Sequence, residues 1–232
     1  MKPNGLKNKT RENHKIDGLS PDANKLRGHS EIINVETLTK NIDLAWETTR
    51  TPAEFRSKLL VLFRTTLSEG SNFIQDRFLS NNDGAEAVLA QAYLMDSLIK
   101  AALETVDTKL YRAPNPTRGE QLCIIAVGGY GRGELAPFSD IDLLFLLPYK
   151  QTPRVEQVVE TILYLLWDMK LKVGHSTRSI DECMRQAKAD MTVRTAILES
   201  RYICGEISLM EQMIARFREE IIKGSALEFV EA

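Results

Sequence analysis

A six-residue apolar run, Leu122 to Val127, stops at the glycine-dense stretch Gly128-Gly129-Tyr130-Gly131-Arg132-Gly133. Seven residues further on, Asp140-Ile141-Asp142 opens a second apolar run that ends at Pro148. Short apolar runs bounded by turn residues read as buried strands, and glycine at that density marks the turn between them. The chain must therefore hold a strand, a tight turn and a second strand inside a sequence whose other periodic segments are helical. That combination predicts an α/β (α+β) fold, a small mixed sheet flanked by helices.

The remaining punctuation divides the chain into three parts. Residues 1–30 carry seven Lys/Arg against three Asp/Glu and no apolar segment, and read as a disordered basic tail. Residues 31–112 form an N-terminal helical region. There Ile32, Val35, Leu38 and Ile42 recur at helical spacing, and Thr51, Pro52 and Glu54 supply a cap, a first-turn proline and a capping-box acid. A stripe from Phe55 to Leu67 continues past Gly70 towards Phe78, with Gly70 a candidate break. A further long amphipathic helix covers Ala85 to Leu110. Residues 113–232 form the core: strands at Leu122 to Val127, Asp140 to Leu147 and Leu171 to Thr177, a helix opened by Thr152-Pro153, a capping pair at Ser179 and Glu182, and helices to the end. The last residues lack a closing glycine, proline or polar tail, which reads as a core truncated at its C-terminus.

Charge and cysteine usage exclude several classes. Beyond residue 30 the chain carries 23 basic against 29 acidic side chains, the opposite of a generic nucleic-acid-binding surface. No apolar run exceeds six residues, far short of a bilayer span. Cys123, Cys183 and Cys204 are odd in number and widely spaced, as expected of reduced thiols in a cytoplasmic protein, with Cys123 a small core hydrophobe.

The chemistry lies in the turn and the strand after it. Residues two apart on a strand share a face, so Asp140 and Asp142 project together, about 6 to 7 Å apart at Cα. Two carboxylates at that separation repel unless a divalent cation neutralises them. Mg2+ suits oxygen ligands of this kind and binds one or two carboxylates together with nucleotide phosphates. Gly128 and Gly129 follow a strand and let backbone N–H groups approach phosphate oxygens. The turn is neither a Walker loop nor a dinucleotide fingerprint, since no Lys-Ser/Thr ends it and Glu134 stands where the third glycine would fall.

The pairing of this turn with an acid-x-acid strand resembles the signature of the nucleotidyltransferase superfamily. More narrowly, GGYGRGELAPFSDIDLL, WDMKLKVGHSTRSIDEC and LESRYICG resemble the bacterial bifunctional uridylyltransferase/uridylyl-removing enzymes of the nitrogen-signalling protein PII. The resemblance implies a sheet of nucleotidyltransferase type and Mg2+-dependent transfer of UMP from UTP to a PII tyrosine, with release of pyrophosphate. It implies Asp140 and Asp142 as catalytic metal ligands, and Gly128, Gly129, Arg132 and Ser139 as nucleotide contacts. It also implies PII as partner and glutamine as effector of the full-length enzyme. A glutamine-synthetase-type adenylyltransferase and a non-catalytic nucleotide-sensing module are the alternatives.

Members of the superfamily often carry a third carboxylate on a later strand. Here that strand reads Lys172-Val173-Gly174-His175-Ser176, which leaves Asp168 as a weak substitute. The three histidines, His14, His29 and His175, have no adjacent Asp, so the uridylyl-removing site is not expected in these residues. His175, Ser176 and Arg178 are candidates for lining the pocket, and Glu199 and Arg201 read as a pair on a helix surface.

Overall fold

The computed structural model describes residues 29–113 and 116–223. The expected basic tail, up to residue 28, and the expected C-terminal truncation lie outside the described residues.

Among the described residues four α-helices precede the sheet: α1 (His29–Ile32), α2 (Val35–Thr48), α3 (Pro52–Asn81) and α4 (Gly84–Thr105), the last running on as a π-turn over Val106–Leu110. The caps read from sequence form. Thr51 Oγ1 accepts the Glu54 N–H at 3.2 Å, while the Glu54 carboxylate accepts from Arg50 N, one residue before the cap, at 3.0 Å, so the expected box is not closed on Thr51 itself. The continuation past Gly70 holds and the candidate break does not form: α3 runs through Gly70. A Cβ there would lie 2.7 Å from the Ile32 carbonyl oxygen and from Leu94, so glycine serves close helix approach. The segment around Ile32 also divides, because Asn34 accepts from Thr37 N at 2.9 Å and starts α2 afresh.

The sheet has four strands, β1 (Cys123–Ala126), β2 (Ile141–Leu147), β3 (Val173–Ser179) and β4 (Arg201–Gly205), in the order β3-β2-β1-β4. β1 is antiparallel to both β2 and β4, while β2 and β3 are parallel. A parallel pair needs a long crossover, and α6 (Pro153–Asp168) supplies it. Between β1 and β2 the glycine stretch winds one short helix, α5 (Gly128–Gly131). After β3 come α7 (Ile180–Ala189) and α8 (Met191–Leu198), and after β4 comes α9 (Ile207–Phe217). β4 corrects the expectation that only helices follow Ser179. Its five residues are too few to show alternation, and a bulge between Ile124 and Ile125 further disturbs its pairing with β1.

The strand alternation separates two hydrophobic layers. Ile124, Ala126, Ile141, Leu143, Phe145 and Leu147 join one cluster with α4 and α6, while Cys123, Ile125, Leu144 and Leu146 join another with α7 and α9. α4 is the central helix, buried from Ala90 through Thr105 on most of its circumference. Among the described residues no helix is long and apolar enough to cross a membrane.

Candidate active site

Asp142 sits at the second position of β2, on the face that turns toward α7 and α9. Its carbonyl accepts from Val127 N at 3.0 Å, and its register partner across the parallel pair is Gly174. Two glycines clear the space around its carboxylate. A Cβ on Gly128 would come within 3.3 Å of Asp142 Oδ2, and a Cβ on Gly174 would collide with Oδ1. Gly128 additionally holds φ +61°, a conformation that side chains rarely adopt. Asp140 lies just before the strand, which starts at Ile141 rather than at Asp140, and it is exposed. Burial, and then the neighbouring charge of Asp140, push the Asp142 carboxyl above the ordinary carboxylate range. Among the described residues neither carboxylate has an ion-pair or hydrogen-bonding partner.

Asp142, Gly128 and Gly174 open onto a cleft of about 500 Å3 between the sheet and α8, whereas Asp140 is not among the residues that line it. Its walls include Gly128, Asp142, Gly174, Ser176 and Arg178 from the sheet side and Thr192, Thr195 and Glu199 from α8 and its end. Gly174, Ser176 and Arg178 share the Asp142 face by strand alternation. His175 borders the cleft by position, but it alternates to the other face. There its ring packs edge-on against Trp167, with centroids 5.7 Å apart. Cys183 also reaches the cleft, and burial pushes its thiol up to about 11, so it is no nucleophile near neutral pH.

The remaining sequence-derived candidates are placed less centrally. Gly129 lies in the first turn of α5, where backbone N–H groups lack intrahelical acceptors. Arg132 folds back over that turn, with Nη2 3.6 Å from where a Gly129 Cβ would stand. It pairs with Glu199 at 2.8 Å and with Glu134 at 3.7 Å. Ser139 is exposed, outside the cleft lining, and its N–H closes a turn on Ala136 O at 3.1 Å. Asp168 ends α6 outside the cleft, its carbonyl accepting from Arg64. The strand position beside Asp142 that a third acid would take is Gly174.

Two functional features escaped the sequence reading. α8 as a cleft wall was not foreseen; its only signal is the cap Asp190, which accepts from Thr192 N at 2.8 Å. The expected Glu199–Arg201 surface pair does not form either. Glu199 turns to Arg132, while Arg201, on β4, is buried and bonds Asp96 of α4 through Nη1 at 2.6 Å and Nη2 at 3.2 Å. Sequence spacing could not show it, because the partners are 105 residues apart.

A divalent cation fits this geometry in one respect and needs help in another. A half-buried acid without counter-charge, in a space kept free by glycines and with a second acid two residues before it, suits a hard ion. Among the described residues no group of three or more His, Cys, Asp or Glu is arranged to hold a metal, so further ligands must come from a bound phosphate or water.

Residues 117–203 match the nucleotidyltransferase domain family. The chain is 52% identical over 179 residues to the bifunctional uridylyltransferase/uridylyl-removing enzyme of Azospirillum brasilense, covering 77% of this chain and 19% of that protein. It is 45% identical over 209 residues to the enzyme of the same name from Rhodospirillum rubrum, 90% of this chain and 22% of that protein. The corresponding figures for Rhodopseudomonas palustris are 46% over 189 residues, 82% and 20%. The chain thus spans about a fifth of the length of the curated relatives it matches. Its glycine turn, its acid-x-acid segment and the residues lining the cleft all fall inside the segment that matches the nucleotidyltransferase domain family.

Proposed function

We propose that the cleft binds UTP with Mg2+ and transfers UMP to a tyrosyl hydroxyl of a PII-type signalling protein in the cytoplasm. The acceptor oxygen bonds to the α-phosphorus, the bond from that phosphorus to the bridging oxygen breaks, and pyrophosphate leaves. The observation that carries this reading is the Asp142 carboxylate, half-buried, repelled by Asp140 and unpartnered, with Gly128 and Gly174 leaving room beside it. An acid kept in that condition costs stability unless a cation joins it.

Asp140 and Asp142 would hold the ion. When bound, Mg2+ neutralises phosphate charge and makes the attacking hydroxyl more acidic. The chain's own groups bind and orient. The α5 first turn presents backbone N–H groups toward phosphate oxygens, and Arg132 stands over the same turn to add a charged donor. Ser176, Thr192 and Thr195 provide hydroxyls along the walls. Uracil selectivity rests on the relatives' names and on family resemblance. Glutamine control belongs to the longer enzymes that the resemblance implies.

The test is incubation with labelled UTP or labelled ATP, Mg2+ and a PII-type acceptor. Label from UTP on an acceptor tyrosine is expected. Label from ATP instead would assign an adenylyltransferase, and tight binding without transfer would assign a nucleotide sensor.

A further inference from the structure

The turn expected to cradle the nucleotide is not self-supporting. α5 is a single turn of four residues, three of them glycine, and so contributes little intrinsic rigidity. What holds it is a buried polar cluster. The Tyr130 hydroxyl donates to Asp96 Oδ1 at 2.6 Å, and Arg201 Nη2 donates to the Tyr130 carbonyl at 3.1 Å while its guanidinium binds the same aspartate. The guanidinium carbon also stands 5.3 Å from the Tyr130 ring centre. All three residues are at least 95% buried, with relative exposures of 1% for Asp96, 1% for Tyr130 and 5% for Arg201. The next residues are pinned to the same helix, since Leu135 N donates to Val88 O of α4 at 3.2 Å.

We infer that Asp96, Tyr130 and Arg201 are positioning residues of the nucleotide site, fixing the glycine turn to α4 and β4 so that its N–H groups face the phosphates before the nucleotide arrives. The inference rests on the proposed nucleotide-binding role of the cleft. It extends the site beyond the matched domain, because Asp96 precedes residue 117 and comes from the N-terminal helical layer. Hydrogen bonds to a charged group in a dry interior are directional and strong, which suits them to fixing a backbone that glycine leaves loose. Burial and the adjacent Asp96 keep the Tyr130 phenol protonated, so it remains a donor throughout the working pH range.

The experiment is calorimetric titration of the whole chain with UTP in the presence of Mg2+, together with thermal unfolding of the same samples. Tyr130→Phe removes one hydroxyl and keeps the ring; Asp96→Asn keeps the shape and removes the charge. Arg77→Gln, which removes an ion pair to Glu86 nearer the start of α4, serves as a control for general destabilisation. The expected result is a Kd for UTP raised about five- to tenfold in Tyr130→Phe, and further in Asp96→Asn, with stoichiometry near one. A purely structural role would instead lower the stoichiometry and the unfolding temperature and leave Kd unchanged, as expected for Arg77→Gln. Should Asp96→Asn not fold, Tyr130→Phe decides alone. Wild-type Kd in the folded variants overturns this inference only, whereas absence of UTP binding by the unsubstituted chain overturns the reading of the cleft and this inference with it.

Discussion

Asp96 and Asp142 are both withdrawn from water to some degree, and the fold treats them oppositely. Asp96 is buried with a guanidinium on two of its contacts and a phenol on a third. Asp142 is only half-buried, yet its nearest charged influence is another acid. The first arrangement is closed in charge: the aspartate and the guanidinium pair inside the chain, with Arg201 Nε the one polar side-chain atom of the cluster left without a hydrogen-bond partner among the described residues, and the cluster serves geometry. The second is open and leaves negative charge for something from outside. Acids in similar strand-and-helix settings thus take different roles according to whether the chain itself supplies the cation.

Exchanging the acids for neutral residues separates the two roles, and the largest effect is expected at the open one. Asp142→Asn should lower nucleotidyl transfer by about 10²–10³-fold, as when a group acting on transition-state charge is removed. The same change should slightly stabilise the metal-free protein. Because the folded-state pKa of Asp142 is raised, the folded chain binds this proton more tightly than the unfolded chain. The residue's unfavourable contribution is therefore absent below the ordinary carboxylate range and appears as pH rises through the raised value. Solvent screening leaves a few tenths of a kcal/mol, or about 1–2 °C in Tm. Unfolding curves for both proteins without Mg2+ should coincide in strong acid and separate near neutrality; a variant less stable than wild type at neutral pH would count against an unpartnered carboxylate.

At the closed site the expected signature is reversed, with stability lost first. Asp96→Ala leaves the buried Arg201 guanidinium uncompensated, which costs about 3–5 kcal/mol. For a domain of this size that lowers Tm by roughly 10 °C, measurable by calorimetry or circular dichroism. A loss no larger than that of an exposed ion pair such as Lys40–Glu36 would mean that the cluster is not the closed unit it resembles.

Between these extremes lies a steric test of the open site. Gly174→Ala places a methyl group against Asp142 Oδ1, so the carboxylate must turn away, whereas Gly84→Ala meets only Phe78 at 4.0 Å. Transfer should fall by up to about 10²-fold in the first variant, the scale of a catalytic contact misplaced by about 1 Å, with Tm within about 2 °C in both. Equal activity of the two variants would show that the space beside Asp142 is unimportant.

The open site was more legible in sequence than the closed one, for a physical reason. Gly128, Asp140 and Asp142 lie within fifteen residues, and their types carry the argument: glycine where backbone must be bare, acids where a strand returns to the same face. The caps at Thr51, Thr152 and Ser179 are local as well, so they were readable. Asp96 looked like any polar residue on an amphipathic helix, and Arg201 like a helix-surface cation, because their pairing depends on β4 lying beside β1. β4 was missed for its brevity and its bulge. Gly70 stayed a candidate break because a helix breaker and a close-approach residue look identical until the neighbouring helix is known.

The smallest effect is expected where the two regions meet. Arg132 leaves the turn held by the closed cluster and pairs with Glu199 on the wall of the open cleft. Both side chains are substantially exposed, 50% and 36%, so the pair contributes no more than about 0.2–1 kcal/mol. On the proposed reading, an incoming triphosphate would compete with Glu199 for the same guanidinium. Glu199→Gln removes the competing charge and also lowers the negative potential of the cleft, so UTP should bind about two- to fivefold more tightly. Added salt should shrink the difference between variant and wild type, because screening weakens both exposed interactions. Titration with UTP at low and high ionic strength measures both effects. Weaker binding in Glu199→Gln would instead mean that the ion pair holds Arg132 in its binding position, extending the closed cluster's positioning role to the cleft wall.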